Sequence, residues 1–156
     1  MFEDSVFQQF RYWRDRNLSF VKVIHTDLID IIPEGFNNNI RWNLGHVLVT
    51  WDEGIYNSLS MKRVLPKDYD SFFKRGSKPS EWEKQPPSFD EITERLEIQT
   101  EQIINACRGK LDLPLKFDFL GMKTLGEMFV FLIAHESLHM GVISSIRKVI
   151  QSKHTS

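Results

Sequence analysis

From Leu125 to Ile150, apolar residues and histidines recur at steps of three and four: Leu125, Met128, Leu132, His135, His139, Val142, Ile146 and Ile150. That is the period of an α-helix with one continuous face. At 1.5 Å per residue the segment would run for about 39 Å, and Thr124-Leu125-Gly126-Glu127 opens it with a capping box. A stripe of that length needs other helices to cover it, which predicts a helical bundle.

Three further segments carry the same period. Val6, Phe10, Trp13, Phe20, Ile24 and Leu28 mark one face of a first helix, capped at Asp4 or Ser5 and ending near Pro33-Glu34-Gly35. A second runs from about Asn39 to Ser60, with Ile40, Leu44, Val47, Leu48, Trp51 and Ile55 on its stripe and Asn37, Asn38 and Asn39 as candidate caps. The third opens after Pro86-Pro87 with the box Ser88-Phe89-Asp90-Glu91 and carries Ile92, Leu96, Ile103 and Cys107 up to Gly109, its stripe interrupted by Gln99. Residues 61–87 are too long for a hairpin and predict a crossover between helices 2 and 3, with room for a short helix. Lys110 to Phe119 alternates strictly and reads as an extended segment lying on the bundle. The fold class expected is all-α, a four-helix bundle forming a single domain over residues 1–156.

At 156 residues, 41% hydrophobic and 26% charged, the chain has the make-up of an ordinary soluble domain. A net charge of -1, with acids and bases mixed, provides no field for nucleic acid or an anionic membrane, so neither is expected as a partner. Met1-Phe2-Glu3-Asp4-Ser5 lacks a basic leader pattern, and the uninterrupted apolar run Met128 to Ala134 is too short to span a bilayer. A cytoplasmic location is the corresponding expectation. The single cysteine, Cys107, falls in a helical pattern and reads as a small buried hydrophobe.

His135-Glu136-Ser137-Leu138-His139 has the HExxH spacing of zinc peptidases, whose two imidazoles leave one helix face a turn apart and share an ion. A peptidase also draws a third ligand from further along, and residues 140–156 contain no acid and no suitably spaced histidine, with His154 in a polar end segment. The third ligand is instead expected upstream, at His46 in Asn43-Leu44-Gly45-His46. Gly45 costs its helix about 1 kcal/mol relative to alanine, which suits a close approach by a neighbouring backbone or ligand. Three neutral imidazoles on two facing helices would hold a divalent ion at about 2.0–2.1 Å and leave a position for water or substrate.

The N-x-x-H segment at Asn43 to His46, paired with H-x-x-x-H at His135 to His139 followed by Gly141, resembles the DinB/YfiT-like superfamily over essentially the whole chain. That resemblance implies a four-helix bundle, often a homodimer, with His46, His135 and His139 binding nickel, zinc or a related divalent ion. It also implies either S-transfer with a low-molecular-weight thiol such as bacillithiol or mycothiol, or metal-dependent hydrolysis, against a small substrate. Where the family often continues as H-R-G-Q, this chain has His139-Met140-Gly141-Val142 and lacks the arginine.

Glu136, next to a ligand, is the candidate catalytic base on metal-bound water, against the plainer possibility that it meets a basic partner on the helix flank. Glu53, seven residues after His46, is a second acidic candidate, and Asn43 is placed to orient an imidazole. Trp42, Trp51 and Phe129 read as core, Arg11, Arg14 and Arg16 as a solvated face, and His25 and His154 as surface residues. The alternative to an enzyme is a non-catalytic, stress-associated interaction domain whose ion staples two helices. DNA binding finds no basic stripe.

Overall fold

The computed structural model describes residues 2–154, and of His154 the backbone only. Four long helices, α1 (Phe2–Lys22), α2 (Ile40–Ser58), α4 (Phe89–Cys107) and α5 (Leu125–His154), form the bundle, with the short α3 (Asp68–Phe73) in the crossover. A small antiparallel hairpin, β1 (Pro114–Phe119) and β2 (Met122–Thr124), precedes α5. α5 lies along α2 and touches α1, while α4 packs on both α1 and α2.

Three of the helix starts follow from their caps. Asn39 Oδ1 accepts from Trp42 N at 2.8 Å, Ser88 Oγ from Glu91 N at 3.1 Å and Thr124 Oγ1 from Glu127 N at 3.2 Å. Each satisfies an amide that the helix itself leaves unpaired, for about 1 kcal/mol. Between the helices, Phe10 packs 4.3 Å from Trp51 and edge-on to Phe129 at 5.3 Å, centroid to centroid. Side chains of this kind contribute about 1.5–3 kcal/mol each on burial.

α1 departs from its expected pattern. It is helical from Phe2, so Asp4 and Ser5 lie inside its first turn, and it stops at Lys22, well short of Pro33. A 3-10 turn follows at Thr26–Leu28, where His25 Nδ1 accepts from Asp27 N and offers the backbone an alternative to helix. The buried stripe runs through Phe7, Phe10, Arg14, Asn17 and Val21, whereas Trp13 is 37% exposed. Reading apolar residues alone shifted the face, because two of its buried members are polar.

The crossover is anchored from within α2. Asp52, buried, accepts from Arg63 Nε at 2.7 Å and from the amides of Val64 and Leu65 at 3.0 and 3.3 Å. By length and composition α5 is apolar enough to cross a bilayer, which the run Met128 to Ala134 did not suggest; it packs here as a core helix against α2 and α1.

The alternating segment does form a strand, and it pairs with a second one that the pattern did not reveal. Phe119 pairs with Met122 across Leu120 and Gly121, whose φ angles of 51° and 78° are both left-handed. Such a two-residue turn favours Asn-Gly, and leucine is strained there. Leu120→Asn should therefore raise the unfolding free energy by up to about 1 kcal/mol. Urea unfolding at constant slope measures it, and a loss of stability would refute the strain.

Candidate metal centre

His46 leaves the middle of α2, and His135 and His139 leave successive turns of α5, so that the three rings meet between the helices. Their ligand atoms all lie within 4.8 Å of one another. Ring centroids are 4.8 Å apart for His46 and His139, 5.2 Å for His46 and His135, and 4.6 Å for His135 and His139. His46 is buried and the other two are half-buried, so one side of the cluster stays open.

Hydrogen-bond partners assign the protons on two of the rings. His46 Nδ1 lies 2.7 Å from the carbonyl oxygen of Phe73 and must donate to it. His139 Nδ1 lies 2.8 Å from Asn43 Oδ1. Asn43 uses its amide nitrogen on Asn38 Oδ1 and Asn39 O, at 2.9 and 2.8 Å, so its oxygen is the acceptor. Both rings consequently present a bare Nε2 to the cluster. His139 Nε2 and His135 Nε2 stand 3.2 Å apart, within the roughly 2.9–3.4 Å that separates two nitrogens bound at about 2.0–2.1 Å to one ion. At that distance His135 Nε2 donates to the bare Nε2 of His139, and a shift of this proton to His135 Nδ1 would free both nitrogens at a spacing that fits a divalent cation.

Local sequence explains the geometry. A Cβ on Gly45 would run into the ring of Phe73, so the glycine lets α3 press against α2 and deliver the Phe73 carbonyl to His46. The close neighbour at this position is thus an aromatic side chain, where the sequence suggests a backbone or a ligand. Trp42 stacks on His46 at 4.8 Å and 7°, its indole nitrogen donating to Ser77 Oγ at 2.9 Å, and thus forms a wall of the site as well as core. Thr50, one turn beyond His46, brings its hydroxyl to 3.5 Å from His46 Nε2.

Glu136 does not join the cluster. Its Oε1 accepts from Arg14 Nε at 2.9 Å and Asn17 Nδ2 at 3.1 Å, and its Oε2 from Arg14 Nη2 at 2.9 Å and Trp51 Nε1 at 2.8 Å. Successive helical residues point about 100° apart, which turns Glu136 to the core while His135 faces the cluster. The position expected of a base is thus replaced by a buried ion pair, and Arg14, read as part of a solvated face, is 1% exposed. Arg14 also donates to Leu96 O at 2.7 Å, and Gln99 donates to Leu48 O at 3.0 Å, so the residue that interrupted the α4 stripe completes the network.

Residues 9–143 match the sequence model of the DinB superfamily. The chain belongs to the DinB superfamily. A search of curated proteins finds no match.

Membership and the three-histidine cluster together fit a metal-dependent protein of the DinB superfamily. The remaining candidates sort by their surroundings. Glu53 pairs with Lys74 at 2.9 Å on the flank of α2. Trp51 and Phe129 are core, and Cys107 is fully buried, its thiol pushed up to about 12 by burial, which removes it as a nucleophile at neutral pH. His25 is exposed beside Asp27, Arg11 pairs with Glu101 at the surface, and the side chain of His154 lies outside the described residues. Thr50 and the Phe73 carbonyl were missed; the first had only its i+4 spacing from His46 to signal it, and the second is a backbone atom with no sequence signal.

Burial disfavours the imidazolium form at all three histidines: it lowers His46 and, with the neighbouring histidines, holds His135 at about 4 and His139 at about 3. An unfolded histidine takes up its proton near pH 6.5. Between that pH and the folded values the unfolded chain binds more protons, so stability is full above about 6.5 and falls as the pH drops. The metal-free protein should lose up to about 1.4 kcal/mol per pH unit for each such histidine over the upper part of that window. Urea unfolding at pH 7, 6 and 5 should show a shallower fall in His139→Gln than in the wild type. Parallel curves would contradict the assignment.

Proposed function

We propose that this DinB-superfamily protein is a metal-dependent enzyme in which an ion held by His46, His135 and His139 activates a low-molecular-weight thiol, or a water, against a small electrophile. One observation carries it: three imidazoles converge on a half-open site, and among the described residues no acid or thiol joins them. An incomplete set of protein donors leaves room for an exogenous ligand, which distinguishes a reactive centre from a structural one. When bound, a divalent ion would supply the Lewis acidity that draws the proton from a thiol or water. Nickel and zinc both suit imidazole donors.

The chain's own residues orient and shield. The Phe73 carbonyl and Asn43 Oδ1 fix two rings with their Nε2 atoms inward, the kind of support whose loss costs 10–100-fold in metal affinity, in order of magnitude, at known sites. Trp42 covers one flank of His46 and excludes water there. With Glu136 committed to Arg14, the acidic side chain left on the cluster's own side of α2 is Glu53, close enough to act on His46 electrostatically. Thiol transfer ranks above hydrolysis because the superfamily includes thiol-dependent transferases.

Titration of the untagged, metal-free protein with Co(II) tests this reading. About one ion per chain should bind, binding should fall at least tenfold in His46→Ala with the helical signal kept, and added thiol should produce a sulfur-to-cobalt absorption band. An ion that binds but ignores every thiol removes the transferase arm. Equal uptake by wild type and His46→Ala removes the metal centre.

A further inference from the structure

Between α2, β1 and the first turns of α5 lies a cavity of about 370 Å³ that the chemistry above does not use. Its floor is apolar: Met128 and Leu132 of α5, fully buried, and Phe117 and Phe119 of β1. Its rim is polar and comes from α2, where Thr50, Glu53 and Asn57 follow one another at three- and four-residue steps on one helix face. The volume is within the range of small-molecule sites, as is the combination of an apolar floor with a few polar groups.

The cavity and the cluster share a border at Thr50. Thr50 lines the cavity and also brings its hydroxyl to 3.5 Å from His46 Nε2. On the α5 side, Leu132 stands one turn before His135, and Phe119 meets Phe131 edge-on at 5.2 Å, which in turn stacks on His135 at 6.0 Å. The one charged residue of the lining, Glu53, is matched by Lys74 at 2.9 Å, so the cavity offers an incoming group no unbalanced charge. Phe117, which lines the cavity, is 40% exposed, and an aromatic or alkyl guest would take that surface out of water.

We propose that this cavity receives the uncharged apolar part of the substrate, of the size of a phenyl or branched alkyl group, while the substrate's polar reactive end faces the three imidazoles. The assignment rests on the metal-dependent reading of the site. β1 then acts as a specificity element, and Thr50 stands where the apolar and polar ends of the substrate join.

Two hydroxamates with the same metal-binding head, benzohydroxamate and acetohydroxamate, test it on the Co(II)-loaded full chain through the visible absorption of the ion. The phenyl compound should bind about tenfold more tightly than the methyl one. Phe117→Ala should reduce that preference and Phe117→Glu abolish it, with acetohydroxamate binding unchanged in both, because Phe117 touches no histidine. Equal binding of the two compounds by the wild type, or a preference untouched by either substitution, overturns the cavity assignment while the metal centre stands. Failure to take up Co(II) overturns the metal reading, and the cavity assignment with it.

Discussion

A single buried carboxylate ties the bundle together. Glu136 of α5 is 3% exposed and is met by Arg14 and Asn17 of α1 and by the indole N–H of Trp51 from α2, while Arg14 reaches on to Leu96 and Gln99 of α4. Taking two charges out of water costs several kcal/mol per ion, so such a pair adds little net stability over an apolar replacement. Its effect is on register. A rotation or slide of α5 that kept Glu136 buried would part it from these donors, whereas in the observed packing no buried side-chain polar atom among the described residues lacks a partner. Because His135 precedes Glu136 directly and His139 follows three residues later, locking the carboxylate aims both imidazoles at α2.

The other half of the cluster is fixed from the opposite side. Asp52 gathers Arg63 and the start of the crossover, and Arg63 holds Asp70 of α3 at 2.8 Å, its guanidinium raised and the Asp70 carboxyl lowered by their mutual hydrogen bonds. α3 is thereby brought to where Gly45 admits Phe73, whose carbonyl orients His46. The crossover is thus a working part of the site. The segment leading into the hairpin is joined to the start of α5 by Leu125 N–H to Leu113 O at 2.9 Å and Gly126 N–H to Leu111 O at 2.7 Å, and β1 walls the neighbouring cavity.

What could be read from the chain alone follows from which forces are local. The starts of α2, α4 and α5 were legible because Asn39, Ser88 and Thr124 act on amides three residues away. His135 and His139 were legible as a pair from their spacing, and His46 from its place beside Gly45. Arg14 and Glu136 were not, since each is explained only by a partner 122 positions distant, and a polar residue on a buried stripe looks like a solvated one until that partner is known. Trp13 was misplaced for the same reason, and β2 was hidden because Leu120-Gly121 is not the residue pair such a turn prefers.

The Glu136→Gln variant tests this account most directly, by urea unfolding and Co(II) titration side by side with the wild type. An anchoring carboxylate predicts a loss of about 3–5 kcal/mol, as for other buried pairs with one partner removed, together with weaker metal binding as α5 loses its register. Stability within about 0.5 kcal/mol of the wild type, with metal affinity unchanged, would contradict it.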